Sequence, residues 1–151
     1  MSSESLRAQI QTSMMNAMRA QDKVKLPIIR LVQAAIKQRE VDERITLTDD
    51  QILDTLDKMI RQRRDSIKQF EDANRQDLAD KEAAEIVIIQ EYLPAQLSAA
   101  EVEALVSEAI KSVNAASIRD MGKVMDILKP QLKGRADITT VGALVKNQLA
   151  S

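Results

Sequence analysis

Apolar positions recur at helical spacing along almost the whole chain. In a first segment, about residues 4–21, Leu6, Ile10, Met14, Ala17 and Met18 fall on one stripe. Asp22-Lys23 interrupts it. A second segment opens near Val24 with Pro27 in its first turn, where the missing N–H does little harm. Ile28, Leu31, Val32, Ala35 and Ile36 then repeat inward to about Val41, and residues 42–47 read as a polar loop. Thr48 followed three positions later by Gln51 is a capping box. It opens a long segment to about Ala73, with Ile52, Leu53, Leu56, Met59, Ile60, Ile67 and Phe70 inward. After a break at Asn74, residues 75–92 carry Leu78, Ala83, Ile86, Val87, Ile88 and Ile89 around much of a helix, which predicts burial on more than one side.

Leu93-Pro94 ends that segment, because the residue before a proline avoids the helical region. Ser98 with Glu101 forms a second capping box and opens a fifth segment, to about Val113. Residues 114–117 read as a turn. Ser117 is then placed to cap a sixth segment bearing Ile118, Met121, Val124, Met125, Leu128 and Leu132, with a kink or early stop expected at Pro130. Gly134 stands as its C-terminal cap, and Asp137 opens a seventh segment with Ile138, Val141, Leu144, Val145 and Leu149 inward. The expected fold is therefore all-α. A bundle of about four helices fills residues 1–94, and a compact three-helix tail fills residues 98–151. The tail, at roughly 55 residues, is near the lower limit of a self-sufficient core.

Composition sharpens this picture mainly by what is missing. Among 151 residues there is no Cys, His or Trp, one Phe and one Tyr, and only three Gly. Zinc sites built on Cys or His, haem ligation, and Cys–His or Ser–His–Asp nucleophiles are excluded, and no metal or cofactor is expected. Carboxylates are numerous but fall on predicted solvated faces, which argues against a catalytic pair. Three scattered glycines cannot build a phosphate-binding loop, and Gly122-Lys123 is followed by Val124 rather than by a hydroxyl. The methionines sit largely on apolar stripes as core filler. Residues 1–7 lack the basic and apolar regions of a signal peptide. The longest apolar run, Ile86–Ile89, is far short of the roughly 20 residues that span a bilayer. The expectation is a soluble, cytoplasmic protein without a membrane partner.

Charge then marks two places. The net charge is −1, yet residues 58–68 hold Lys58, Arg61, Arg63, Arg64 and Lys68 against the single acid Asp65. Arg61, Arg64 and Lys68 project within about 60° of one another on a helix. This stripe reads either as a phosphate-binding face or as an ordinary solvated one. Asp54, Asp57 and Asp72, each four residues from a basic partner, support the second reading. The other concentration is Arg119, Lys123, Lys129, Lys133 and Arg135 against Asp120 and Asp126. Here Gly122 lies inside a helix at a cost of about 1 kcal/mol relative to Ala. Gly134, between Lys133 and Arg135, offers amides for an anion seat at the start of the last helix. Two structural alternatives stand beside these. Gly122 would admit the close approach of another helix, and Gly134 would serve only as a cap.

Lys58-Met-Ile-Arg-Gln-Arg-Arg64, Tyr92-Leu-Pro94, Asp120-Met-Gly-Lys-Val-Met125 and Lys133-Gly-Arg-Ala-Asp137 together resemble the GatB/YqeY family, and more closely its free-standing YqeY-like members. The resemblance covers essentially the whole chain, and its last two motifs are the most specific. It implies a helical bundle followed by a three-helix tail similar to the end of the B subunit of tRNA-dependent amidotransferases. Those enzymes are carbon–nitrogen ligases with glutamine as amido donor, and the family implies that the tail contacts tRNA. Carried over, the resemblance marks Gly122, Lys123, Gly134 and Arg135 as tRNA contacts, with Lys133 beside them. Arg61 and Arg64 are added from the charge stripe. No residue set for amide hydrolysis, ATP binding or amide transfer is recognisable, so any ligase activity would belong to an assembly. The functional expectation is a non-catalytic tRNA-binding accessory of translation. The alternative is a module that docks on an aminoacyl-tRNA synthetase or an amidotransferase.

Overall fold

The computed structural model describes residues 5–150. These residues form seven α-helices and one short 3-10 turn, with no strand among them: α1 (Leu6–Arg19), α2 (Lys25–Glu43), α3 (Asp49–Asp72), α4 (Gln76–Gln90), α5 (Ala99–Ser112), the 3-10 turn (Ile118–Asp120), α6 (Met121–Leu132) and α7 (Ile138–Ala150). The chain is all-α. The expected start of the first segment, at Glu4, lies outside the described residues.

Helix starts follow from local side-chain chemistry. Ser5 Oγ accepts from the Ala8 amide at 3.1 Å. Asp22 does more than interrupt the first stripe: its carboxylate accepts from Val24 N and Lys25 N at 3.1 and 2.9 Å and so starts α2. Both capping boxes form, Thr48 with Gln51 and Ser98 with Glu101. The chain turns after α3 and α5 at Asn74 and Asn114, whose φ values of 58° and 52° suit asparagine's tolerance of the left-handed region.

The described residues divide into two compact units, parting between Leu93 and Pro94. In the first, α3 packs most extensively on α4, and α2 meets α1, α3 and α4. Ile10, Ile29, Val32, Ile52, Leu56, Ile60 and Ile89 are fully buried there, and Tyr92 closes the same core. Arg63 joins α3 to α4, its Nε lying 3.1 Å from Glu85 and 3.9 Å from Glu82. The α2–α3 loop is held by Glu40, which accepts from Leu47 N at 2.8 Å and pairs with Arg7.

Several inward expectations are corrected here. Leu31 is 49% exposed, while Ile29 is fully buried, because the face of α2 that meets its neighbours runs through Ile28, Ile29, Val32 and Ile36. Met18 also points outward, at 49% exposure. α4 buries a single side through Ala79, Ile86 and Ile89; Val87 is 62% exposed, so its broad apolar girth is not matched by burial all round.

In the second unit α5, α6 and α7 pack on one another around Val106, Val124, Leu128, Leu132, Val141 and Val145. Ser117 opens the 3-10 turn rather than α6 itself, and Ile118 is largely exposed. α6 runs two residues past Pro130 without stopping there. Pro130 is on the exposed side, where the Asp126 carbonyl that loses its partner can bond water.

Candidate nucleic-acid interface

α6 separates the two glycine motifs and also connects them. Gly122 and Lys123 lie in its first turn, and Lys133 is the residue that ends it. At a rise of about 1.5 Å per residue, Lys123 and Lys133 stand about 15 Å apart along the axis. Counting 100° per residue, Gly122, Lys123, Asp126, Lys129, Pro130 and Lys133 share a sector of about 120°. All of them are exposed except the half-buried Lys133, and the opposite side of the helix is the buried row Val124, Met125, Leu128 and Leu132. The outer face of α6 therefore carries three lysines against Asp126. Arg119, exposed on the 3-10 turn just ahead, adds a further cation.

The surroundings of Gly122 separate its two readings. A Cβ built there would meet nothing within 4 Å, so no neighbouring helix needs the space. Its backbone has no positive φ. Packing and conformation therefore both leave this glycine unexplained, and it sits beside Lys123 on an open surface. Asp120 lies nearby, its carboxylate accepting from Ala116 N at 2.9 Å and Ser117 N at 3.4 Å. Those backbone bonds, the Ala116 one first, hold it below the usual carboxylate range, and the Lys123 charge contributes.

Gly134 is a different case. It is buried, with φ at 71°, and its role is to close the turn after α6. The expected anion seat is already filled from within. The amides of Arg135 and Ala136 donate to Leu132 O at 2.8 and 3.1 Å. Asp137 places its own carboxylate at the start of α7, accepting from Thr139 N at 3.4 Å and from the Thr140 hydroxyl at 3.0 Å. Arg135 is half-buried, and its Nε donates to Ala95 O at 3.3 Å.

Arg61 and Arg64 belong to the first unit and α6 to the second. Arg61 pairs with Asp57 at 3.2 Å, the acid-first helical pair expected of a solvated face. Beside it, a groove of about 650 Å³ between α2 and α3 is lined by Arg39, Lys58 and Arg61 and equally by Asp42, Glu43 and Asp54, so it offers anions no net attraction. Among the described residues no group of three or more acidic side chains is placed to hold a metal ion. Among the same residues, no helix is long and apolar enough to cross a membrane.

The profile of the family described as Yqey-like protein matches residues 7–149. The chain belongs to the YqeY-like family. Two relatives match most of the chain and are themselves longer. A protein of Pyrenophora tritici-repentis named altered inheritance of mitochondria protein 41, mitochondrial, is 32% identical over 130 residues, covering 84% of this chain and 71% of the relative. Its namesake in Lachancea thermotolerans is 32% identical over 149 residues, 93% and 79% of the two chains. In Saccharomyces cerevisiae a protein of the same name is 40% identical over 78 residues. These names correct the cytoplasmic expectation: proteins similar over most of this YqeY-like chain are designated mitochondrial.

Two features of the tail escaped the sequence reading of the site. Lys129 is one of several local cations in the sequence, but only its angle on α6 places it on the same face as Lys123. Gln96, whose amide reaches Gly134 O at 2.6 Å across 38 residues, carries no local signal at all.

Proposed function

We propose that this YqeY-like chain is a non-catalytic tRNA-binding accessory, and that the outer face of α6 meets the RNA. The observation that carries the reading is Gly122. An exposed helical glycine with empty space around it serves no packing purpose, and beside Lys123 it lets a bulky, negatively charged backbone approach the helix closely. Lys123, Lys129 and Lys133 would then follow the phosphates over about 15 Å. With one Phe, one Tyr and no Trp, the chain is poorly equipped to stack unpaired bases, so folded RNA read by shape and phosphate is the favoured substrate. The resemblance to the amidotransferase B-subunit tail supplies tRNA as the particular RNA. The relatives' mitochondrial name is compatible with this reading, because mitochondria hold their own tRNA.

The test is a titration of tRNA at several salt concentrations. If about three phosphates are neutralised, log K falls with log salt with a slope of about −2 to −3. Lys123→Ala lowers that slope by about one. Absence of binding at low salt, or an unchanged Lys123→Ala/Lys129→Ala protein, overturns the reading. A complex with an aminoacyl-tRNA synthetase or an amidotransferase that survives nuclease, while purified tRNA fails to bind, would favour the docking module instead.

A further inference from the structure

The segment that enters the tail is fastened to the turn after α6 at three points. The Leu97 amide donates to Arg135 O at 2.9 Å. Gln96 Nε2 donates to Gly134 O at 2.6 Å, and Arg135 Nε donates to Ala95 O at 3.3 Å. The Leu97 side chain packs against the tail core. The positive φ of Gly134 belongs to this arrangement, since the carbonyls of 134 and 135 both accept from the entering segment. Arg135 is further matched by an acid within the tail. Glu101 is held below the usual carboxylate range, first by its bonds to Ser98 and additionally by the Arg135 charge.

We infer that Arg135 is a positioning residue and not a phosphate contact: with Gln96 it clasps residues 95–97 to the tail. The freedom of the chain ahead of the tail then ends at Pro94, and the Lys-Gly-Arg turn is held in shape by the clasp rather than by a ligand. This inference rests on the tRNA reading only in reassigning one of its contacts. The Arg135 guanidinium gives one of its hydrogen bonds to a backbone carbonyl and lies near Glu101, which leaves it a weaker partner for an external anion than the exposed Lys123.

Two measurements on the full chain separate the possibilities: hydrogen exchange at the Leu97 amide, and the salt slope of tRNA binding. Gln96→Ala and Arg135→Ala are each expected to speed exchange at Leu97 by about 2–10-fold, the equivalent of one net hydrogen bond. Both are expected to keep the wild-type salt slope, whereas Lys123→Ala loses about one. Gln96→Ala changes no charge and lies on the surface, so it tests the clasp without disturbing the core. An Arg135→Ala protein whose slope falls by about one while Leu97 exchange stays at the wild-type rate overturns the inference. If the wild-type chain binds no tRNA, the functional reading fails by itself. The exchange measurement still decides the clasp, and unchanged exchange in both variants defeats it.

Discussion

Gly122 and Gly134 look alike in the sequence, each beside a lysine or arginine, and they demand opposite things of their side chain. At Gly122 the backbone is helical and the space is open, so an added methyl group removes the propensity cost of glycine. Gly122→Ala is therefore expected to raise stability by up to about 1 kcal/mol in urea unfolding, while weakening tRNA binding. A protein that is stabilised and binds as before would leave Gly122 without a role in contact. At Gly134 the φ of 71° is costly for any L side chain, and Gly134→Ala is expected to lose about 1–2 kcal/mol. Nothing in the residue pattern separates the two cases, because the difference lies in φ and in what surrounds each Cα. The clasp at Arg135 is hidden for a related reason. Its basic character is local, while its partner Ala95 is 40 residues away.

At the scale of elements, what was legible in the sequence was what local chemistry decides. Thr48 with Gln51 and Ser98 with Glu101 cap their helices because donor and acceptor are three residues apart, and the helical segments follow from periodicity. Which side of a helix is buried depends on neighbours, and there the pattern misjudges Met18, Leu31 and Val87. The loop between α2 and α3 depends on a longer bond, from Leu47 N to Glu40, and this gives it a pH dependence. That backbone bond first, and Arg7 with it, holds the Glu40 carboxyl below its ordinary value of 4.5. The folded state thus favours the ionised form. Its contribution to stability is complete above about pH 4.5 and is lost as pH falls through the lowered folded value. Glu40→Gln, which keeps an acceptor but no charge, is expected to unfold with a shallower dependence on acid. An identical acid profile for both proteins in pH-resolved urea titrations would show that Glu40 contributes nothing.

At the scale of the whole molecule, two separate cores and a single tyrosine permit a direct test of how far the units depend on each other. Tyr92 is buried in the first core, and with no Trp in the chain its emission reports on that unit alone. Far-ultraviolet ellipticity reports on all seven helices. At about 0.05–0.15 kcal/mol per residue, a tail of roughly 55 residues holds only about 3–8 kcal/mol. Leu128 is fully buried at the centre of the tail core, and Leu128→Ala is expected to cost about 2–5 kcal/mol, a large share of that total. Heating this variant is therefore expected to produce an early loss of part of the ellipticity, from α5, α6 and α7. The Tyr92 transition should stay at its wild-type temperature. If both signals instead shift together, the tail and the first unit unfold as one. The contact surface on α6 would then draw its rigidity from the whole chain and not from three helices, and RNA binding in Leu128→Ala would fail only at the temperature where Tyr92 is exposed.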